Sequence, residues 1–229
     1  MKEKIVVLSG AGVSAESGIK TFRDSGGLWE EYNVEDVASI EGWYKNRKLV
    51  LDFYNTRRRE LQKTEPNLAH RIIARLEEKY NVCVVTQNVD NLHERAGSTN
   101  VIHLHGELTK ARGERDENSS YEIGYRDITL GEKAPDGTQL RPFIVWFGES
   151  VPMLQKATER VSQADILIII GTSLNVYPAA GLVNYTKRGC RIYLIDPQPM
   201  NLRMEQFTQI QEKATSGMKQ LAAFLGCAI

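Results

Sequence analysis

The chain has 229 residues, of which 41% are hydrophobic and 25% charged, and this composition excludes a disordered or collagen-like protein. Its 29 Lys and Arg residues balance 29 Asp and Glu residues, which argues against a nucleic-acid partner bound through a generally basic surface and against a polybasic membrane anchor. The three cysteines are scattered and form no Cys-x-x-Cys pair. Because the start of the sequence also shows no signal-peptide pattern, we expect a cytoplasmic protein.

Strands and helices are predicted to alternate along the chain. Runs rich in β-branched residues and apolar nearly throughout predict strands buried on both faces at 5–9, 82–86, 165–170 and 191–195. Weaker strands are predicted at 101–104 and 143–147. Apolar residues at helical spacing predict helices at 47–62, 67–80, 152–163, 179–188 and 217–225. This alternation predicts an α/β fold with a parallel sheet covered by helices on both faces.

Two regions interrupt the alternation. Residues 109–140 are polar, charged and glycine-bearing, and they are too many for an ordinary loop of a compact domain. We expect them to form a small insert with little core of its own and a short strand pair around 121–128. Residues 16–46 also lack a strong periodic pattern and form a second insert-like region.

The residues that follow each strand matter most, because ligands of doubly wound sheets bind at the carboxyl ends of the strands. Gly10 and Gly12 follow the first strand, where glycines let backbone amides approach a phosphate and where Ser14 can cap a helix or donate to a phosphate oxygen. A plain tight turn explains Gly-x-Gly equally well. The spacing matches neither the Gly-x-Gly-x-x-Gly pattern of hydride-transfer enzymes nor a P-loop.

Polar residues also follow the other predicted strands. Gln87, Asn88 and Asp90 follow the second strand, where they either meet a ligand or cap the next helix. His105 ends the third strand and is placed to act as a general base, whereas His103 is expected to be a packed residue. The last two strands are followed by Gly171-Thr172-Ser173 and Asp196-Pro197-Gln198. Five such ends favour a ligand site at this edge of the sheet.

Five blocks of the sequence together resemble the sirtuins, which are NAD-dependent protein-lysine deacylases. The blocks occur in the family's order, at 10–23, 86–97, 103–108, 145–149 and 171–181. The resemblance implies one catalytic domain over 1–229, built as a Rossmann-like sheet with a small domain formed by inserts at about 24–66 and 107–142. It also implies NAD as cofactor and acylated-lysine proteins or peptides as substrates, with no nucleic-acid or membrane partner.

The resemblance assigns roles at the matched positions. His105 would be the general base that acts on a ribose hydroxyl, and Asn88 would be catalytic beside that ribose. Val145, Phe147 and Gly148 would form a groove in which the peptide backbone pairs as a strand. NAD would be bound by residues at the strand ends and on one loop, namely Gly10, Ala11, Gly12, Ser14, Phe22, Arg23, Gln87, Asn88, Asp90, Gly171, Thr172, Ser173, Asp196, Pro197, Gln198 and Ala214.

One departure from the family concerns a metal. Sirtuins usually hold a structural zinc ion with four cysteines of the insert, but residues 106–145 of this chain contain no cysteine. We therefore expect a zinc-free insert. Local strand pairing and the packing of its apolar side chains are expected to hold it, namely Tyr121, Ile123, Tyr125 and Ile128.

A second feature lies on the helix predicted at 47–62, where Tyr54 and Arg57 are spaced to share one face. A solvated basic face is the usual explanation of such a pair. In the sirtuins, however, Tyr-x-x-Arg at this position marks members that remove acidic acyl groups. The resemblance therefore implies removal of succinyl, malonyl or glutaryl groups, besides acetyl, because arginine can bind a carboxylate through two hydrogen bonds.

Two other functions are compatible with these motifs. The same pocket could transfer ADP-ribose to a protein or to water, which would make the chain an ADP-ribosyltransferase or an NAD hydrolase. Alternatively, the chain could bind NAD without catalysis. His105 and the 145–149 block favour deacylation over both.

Overall fold

The computed structural model describes residues 2–21, 32–116, 119–200 and 206–227. Its main sheet has six parallel strands in the order β3-β2-β1-β7-β8-β9, and a second, antiparallel sheet has the order β5-β4-β6. The strands are β1 Lys4–Ser9, β2 Asn81–Thr86, β3 Val101–His103, β4 Gly106–Gly113, β5 Tyr121–Glu122, β6 Leu140–Ile144, β7 Ile166–Ile170, β8 Arg191–Ile195 and β9 Phe207–Ile210. This confirms the predicted α/β fold with a Rossmann-like sheet.

Helices cover both faces of the main sheet. The helices are α1 Gly12–Ala15, α2 Val34–Val37, α3 Ile40–Lys45, α4 Arg47–Lys63, α5 Leu68–Arg75, α6 Leu92–Arg95, α7 Leu154–Ser162 and α8 Ala214–Phe224, with 3-10 turns at Leu76–Glu78 and Ala179–Tyr185. α5 and α8 pack on one face through residues such as Ile73 and Leu221, and α7 packs on the other through Val161. None of the described helices combines the length and the apolar character that a bilayer span requires.

The register of the main sheet brings five strand ends to one level. Ser9 at the end of β1 lies beside Thr86 of β2 and Ile170 of β7. Thr86 lies in turn beside His103 of β3, and Ile170 lies beside Ile195 of β8. The segments that follow these strands therefore meet along a single edge, as the sequence predicted.

Besides the cores on the two faces of the main sheet, α4 and the second sheet share a hydrophobic core that includes Trp43, Tyr54 and Trp146. Two buried polar residues of α4 tie the insert to this core. Both groups of the Asn55 amide bind the backbone of Ile128 at 3.0 Å, and Arg58 donates to the Leu108 carbonyl oxygen at 2.7 Å. The buried residues of the insert therefore share their core with α4, which agrees with the expectation of an insert with little core of its own.

Several element boundaries differ from the prediction. β5 pairs with β4, and the described residues 123–128 contain no strand, so the strand pair expected at 121–128 does not form. The segment predicted as a helix at 179–188 is a 3-10 turn over Ala179–Tyr185, and the strand predicted at 143–147 is β6, which covers Leu140–Ile144. β4 and β9 were not predicted. The polar residues of β4 conceal it, since Thr109 and Arg112 are buried there among hydrogen-bond partners.

The carboxylate of Asp136 lies against Gly113, the last residue of β4. Asp136 accepts hydrogen bonds from the Thr138 amide at 2.9 Å and from the Thr138 hydroxyl at 2.7 Å, and that hydroxyl accepts one from the Glu114 amide at 2.9 Å. The Thr138 hydroxyl and amide hold the pKa of Asp136 below its ordinary value. A Cβ at Gly113 would collide with this carboxylate.

These residues do not fit a zinc ion, and the described residues contain no group of three His, Cys, Asp or Glu side chains able to hold a metal.

Candidate functional site

A cavity of about 1020 Å³ opens at the carboxyl edge of the main sheet and extends to α4 and the end of β6. Within the described ranges, it brings together the predicted site residues except Ser14 and Asp90. Phe22 and Arg23 lie outside the described residues. The predicted residues that line the cavity are Gly10, Ala11, Gly12, Tyr54, Arg57, Gln87, Asn88, His105, Val145, Phe147, Gly148, Gly171, Thr172, Ser173, Asp196, Pro197, Gln198 and Ala214.

His105 occupies the turn between β3 and β4. Gly106 makes this turn possible, because its φ of +81° is unfavourable for other residues and a Cβ there would collide with the Phe143 carbonyl. His105 Nδ1 lies 3.0 Å from the Gln87 carbonyl oxygen. A carbonyl oxygen can only accept, so the proton is on Nδ1 and the lone pair is on Nε2. Burial lowers the pKa of His105, which keeps the ring neutral near pH 7 and suits it to act as a base.

His103 lies two residues away and is packed, as expected. Its Nδ1 lies 3.0 Å from the Asn88 carbonyl oxygen, and its Nε2 lies 2.7 Å from a Glu94 carboxylate oxygen. Burial alone would lower the pKa of His103, but the Glu94 carboxylate outweighs it and the pKa is raised. His103 and His105 thus bind the carbonyls of consecutive residues, which fixes the backbone that carries the Gln87 and Asn88 side chains.

A buried chain of hydrogen bonds through Ser14 and Asp90 holds the Asn88 side chain. The Asn88 amide donates to the Ser14 hydroxyl at 3.2 Å, and that hydroxyl donates to the Asp90 carboxylate at 3.0 Å. Asp90 also accepts from the Leu92 amide at 3.1 Å, so the helix-capping alternative holds for it. Ser14 is 0% exposed and Asp90 5% exposed, and neither reaches the cavity.

The glycine turn after β1 packs against the turn after β7. The Gly10 amide donates to the Ile170 carbonyl at 3.0 Å, and the Gly12 amide donates to the Gly171 carbonyl at 2.9 Å. A Cβ at Gly12 would lie 2.7 Å from Gly171 Cα, so this approach requires glycine. These two amides are thus engaged within the protein, and a phosphate at this edge would be bound by other groups. One such group is Thr172, whose hydroxyl accepts from the Gln87 amide at 3.0 Å.

The other end of the cavity is aromatic and basic. Tyr54 and Arg57 face it from α4, and they are 4% and 9% exposed. The Arg57 guanidinium carbon lies 5.6 Å from the centroid of the Phe53 ring. A solvated basic face is therefore the wrong description of Arg57, although it does describe the exposed Arg59, which pairs with Asp127 on the surface.

Sequence reasoning missed two residues at this end, Phe53 and Trp146. Trp146 is buried and donates from Nε1 to the Tyr54 hydroxyl at 2.9 Å. Strand alternation around Val145 and Phe147 gave no reason to place Trp146 at the same cavity. Its position inside a matched motif, next to two predicted site residues, was the available signal.

Aromatic residues flank the cavity mouth. Phe147 is 50% exposed and Tyr177 is 74% exposed. The backbone of Phe147 is already paired, because its amide donates to the Ala38 carbonyl at 2.9 Å and its carbonyl accepts from the Ile40 amide at 3.1 Å. The segments around Ala38 and around Tyr177 were not among the predicted site residues, since neither has a strong periodic or polar signal.

Comparison with known proteins gives a consistent result. Residues 10–178 match the Sir2 family. An NAD-dependent protein deacylase of Bacteroides thetaiotaomicron is 52% identical and aligns over 97% of this chain and 98% of its own length. An NAD-dependent protein deacylase of Helicobacter pylori strain J99 is 54% identical over 96% and 94%. A crystal structure of a Sir2 homolog–NAD complex is 40% identical, covers 98% of this chain and 90% of that one, and superposes with a TM-score of 0.88.

Proposed function

Because this chain belongs to the Sir2 family, we propose that it is an NAD-dependent protein-lysine deacylase that releases nicotinamide and transfers the acyl group to ADP-ribose. The observation that carries the proposal is a single cavity lined by a neutral histidine whose Nε2 carries the lone pair and by a buried arginine. The histidine supplies a base, and the arginine supplies a group that distinguishes acyl chains.

We propose that NAD occupies the cavity of about 1020 Å³, whose lining includes polar residues at the ends of the strands. Asp196, Pro197 and Gln198 are proposed to bind the adenosine ribose, with Ala214 beside the adenine. Thr172 and Ser173 are proposed to bind the phosphates, and the turn at Gly10–Gly12, whose Gly10 and Gly12 amides bind within the protein, is proposed to let the phosphates approach the backbone closely. Gln87 and Asn88 would then lie beside the second ribose, and Phe22 and Arg23 are proposed as further NAD contacts. Ser14 and Asp90 are proposed to act through Asn88, whose side chain they hold.

Bound NAD would supply a leaving group, nicotinamide, and a ribose that accepts the acyl group. In this site His105 Nε2 takes the proton of a ribose hydroxyl, since Nδ1 is occupied by the Gln87 carbonyl. Asn88 orients that ribose from a backbone position fixed by His103. The apolar walls formed by Phe53 and Val145 exclude water, which would otherwise attack the ribose carbon that nicotinamide leaves.

We propose that the acyl chain enters between Tyr54 and Arg57 and that succinyl, malonyl and glutaryl groups are preferred to acetyl. A guanidinium binds a carboxylate through two charge-assisted hydrogen bonds, and these are stronger in a buried site than in water. The peptide backbone is proposed to run past Val145, Phe147 and Gly148, opposite the segment around Tyr177, which also lines the cavity.

One experiment tests this function. Acetyl-, malonyl- and succinyl-lysine versions of one peptide are incubated with NAD, nicotinamide release is followed, and the products are weighed by mass spectrometry. We expect O-acyl-ADP-ribose and free lysine, formed faster from the acidic acyl groups. A peptide heavier by one ADP-ribose unit would indicate a transferase instead, ADP-ribose formed without peptide would indicate an NAD hydrolase, and NAD binding without nicotinamide release would indicate a non-catalytic module.

We also propose that the inserts at about 24–66 and 107–142 form a small domain that needs no metal. Activity should then survive dialysis against EDTA, because hydrogen bonds among Asp136, Thr138 and the Glu114 amide hold this part of the insert without a metal. The measurement is the rate of peptide deacylation before and after dialysis, with the melting temperature as a control. Loss of activity that added zinc restores would contradict the proposal.

A further inference from the structure

The hydrogen bond between Trp146 and Tyr54 fixes the role of the tyrosine hydroxyl. The indole Nε1, 2.9 Å from the hydroxyl oxygen, can only donate, so the phenol oxygen accepts and its own proton remains for another acceptor. Within the described part of the chain, no protein group accepts that proton. Tyr54 is 4% exposed and lines the cavity. A buried donor directed at a cavity is satisfied when a ligand supplies an acceptor.

The Trp146 ring is held in place from several sides. The guanidinium carbon of Arg141 lies 3.5 Å from the ring centroid, and the Trp43 ring lies 5.3 Å away on centroids. Glu149 fixes this arrangement, because its carboxylate accepts from Arg141 at 2.7 and 3.0 Å and from the Trp146 backbone amide at 2.9 Å. The indole N–H therefore has one direction, and it ends on Tyr54.

We propose that Trp146 is a positioning residue for acyl selectivity: it takes up the acceptor side of the Tyr54 hydroxyl, so that the hydroxyl donates to the carboxylate of an acidic acyl chain beside Arg57. This inference rests on the proposed deacylase function. An acetyl group carries no oxygen at that depth, so the Trp146 contact affects acidic acyl groups alone. Burial raises the pKa of Tyr54 to about 12, so the hydroxyl keeps its proton throughout the working pH range.

Trp146→Phe tests this role, because it removes the N–H and keeps an aromatic ring. We expect kcat/KM for a succinyl-lysine peptide to fall about fivefold, the size of one ordinary hydrogen bond, mainly through KM. We expect kcat/KM for the acetyl-lysine peptide to change less than about twofold. Equal losses for both peptides would overturn the proposal.

Trp43→Phe is the matched control. Trp43 belongs to the same aromatic cluster and is also buried, but its Nε1 donates to Glu114 at 2.7 Å and not to Tyr54. We expect Trp43→Phe to lower the melting temperature and to leave the ratio of succinyl to acetyl activity unchanged. A shift of that ratio as large as the one caused by Trp146→Phe would overturn the proposal, since loosening of the aromatic cluster would then explain both.

A double-mutant cycle with Tyr54→Phe completes the test. If Trp146 acts through the hydroxyl, Trp146→Phe has no further effect on succinyl activity once that hydroxyl is gone, whereas additive effects would overturn the proposal. If Trp146→Phe does not fold, benzothienylalanine at position 146 removes the N–H and keeps the ring shape.

Arg57→Met is measured in parallel to separate this inference from the proposed function. If Arg57→Met loses succinyl activity selectively and the Trp146 variant keeps it, this inference alone is rejected. Equal acetyl and succinyl rates in the unmodified protein would reject the acyl assignment as well.

Discussion

Replacement of His105 by Ala is expected to lower kcat for deacylation by about 10²–10⁴-fold, the usual contribution of a positioned general base. The ring is the only histidine that lines the cavity among the described residues, and its Nε2 is the nitrogen left with a lone pair. Its loss removes the base that accepts the ribose proton. The measurement is the steady-state rate with a succinyl-lysine peptide at saturating NAD.

Retained nicotinamide exchange is the control for that variant. If the base acts after nicotinamide has left, as we propose, exchange of labelled nicotinamide into NAD should persist when deacylation is lost. If exchange and deacylation fall together while the melting temperature is unchanged, His105 acts earlier in the reaction than proposed. If neither changes, His105 is not the base.

The same assignment predicts an acid limb in the pH profile. The base works only when neutral, and burial places the pKa of His105 below its ordinary value of 6.5. We therefore expect kcat/KM to be constant above about pH 7 and to fall only below about pH 6.5, as the ring is protonated. A limb with an apparent pKa above 6.5 would contradict the placement of His105.

Unfolding must be followed over the same pH range. Burial lowers the pKa of His70 to about 4, whereas in the unfolded chain it titrates near 6.5. Between these values the unfolded state binds more protons, so the free energy of unfolding decreases as the pH falls from 6.5 towards 4. Circular dichroism at each pH separates this loss of stability from protonation of His105.

The sequence was sufficient to place the edge where the site forms. Strands such as β1 and β7 are apolar nearly throughout because both of their faces are covered, so their ends and the residues that follow them could be predicted. Whether a predicted site residue lines the cavity or lies behind its wall could not be predicted in the same way. Ser14 and Asp90 occupy motif positions like those of Asn88, yet their side chains bind one another behind the cavity wall.

Contacts between elements that are distant in the sequence could not be predicted from it either. Trp146 and Tyr54 are 92 residues apart, and nothing local to either indicates that the indole donates to the phenol. The insert shows the same limit. Its polar composition indicated little core of its own, but it gave no sign that the polar residues Asn55 and Arg58 of α4 bind its backbone and hold it on that helix. Side-chain to backbone bonds of this kind leave no periodic pattern in the sequence.

Arg57→Met is expected to reduce kcat/KM for desuccinylation by about 10²-fold or more, because loss of a charge-assisted bidentate contact costs on the order of 3 kcal/mol. Deacetylation should be nearly unaffected, since methionine fills a similar volume and an acetyl group presents no carboxylate. The measurement compares kcat/KM for acetyl- and succinyl-lysine versions of one peptide. Equal losses for both would reject the specificity and leave Arg57 with a general role in the fold or in NAD binding.

Arg59→Met is the matched control for this prediction, and stability supplies a second readout. Arg59 lies on the same helix but is exposed and paired with Asp127, so its loss should change neither activity. Arg57 is 9% exposed, and burial lowers its pKa, which means that the folded protein holds this charge against a desolvation cost. Because Tyr54, Glu60 and Asp90 favour the charged form and the Phe53 ring lies beside it, the melting temperature of Arg57→Met is measured together with its activity. A variant that loses desuccinylation while keeping its stability cannot owe that loss to unfolding, and this combination is what a charge retained for binding requires.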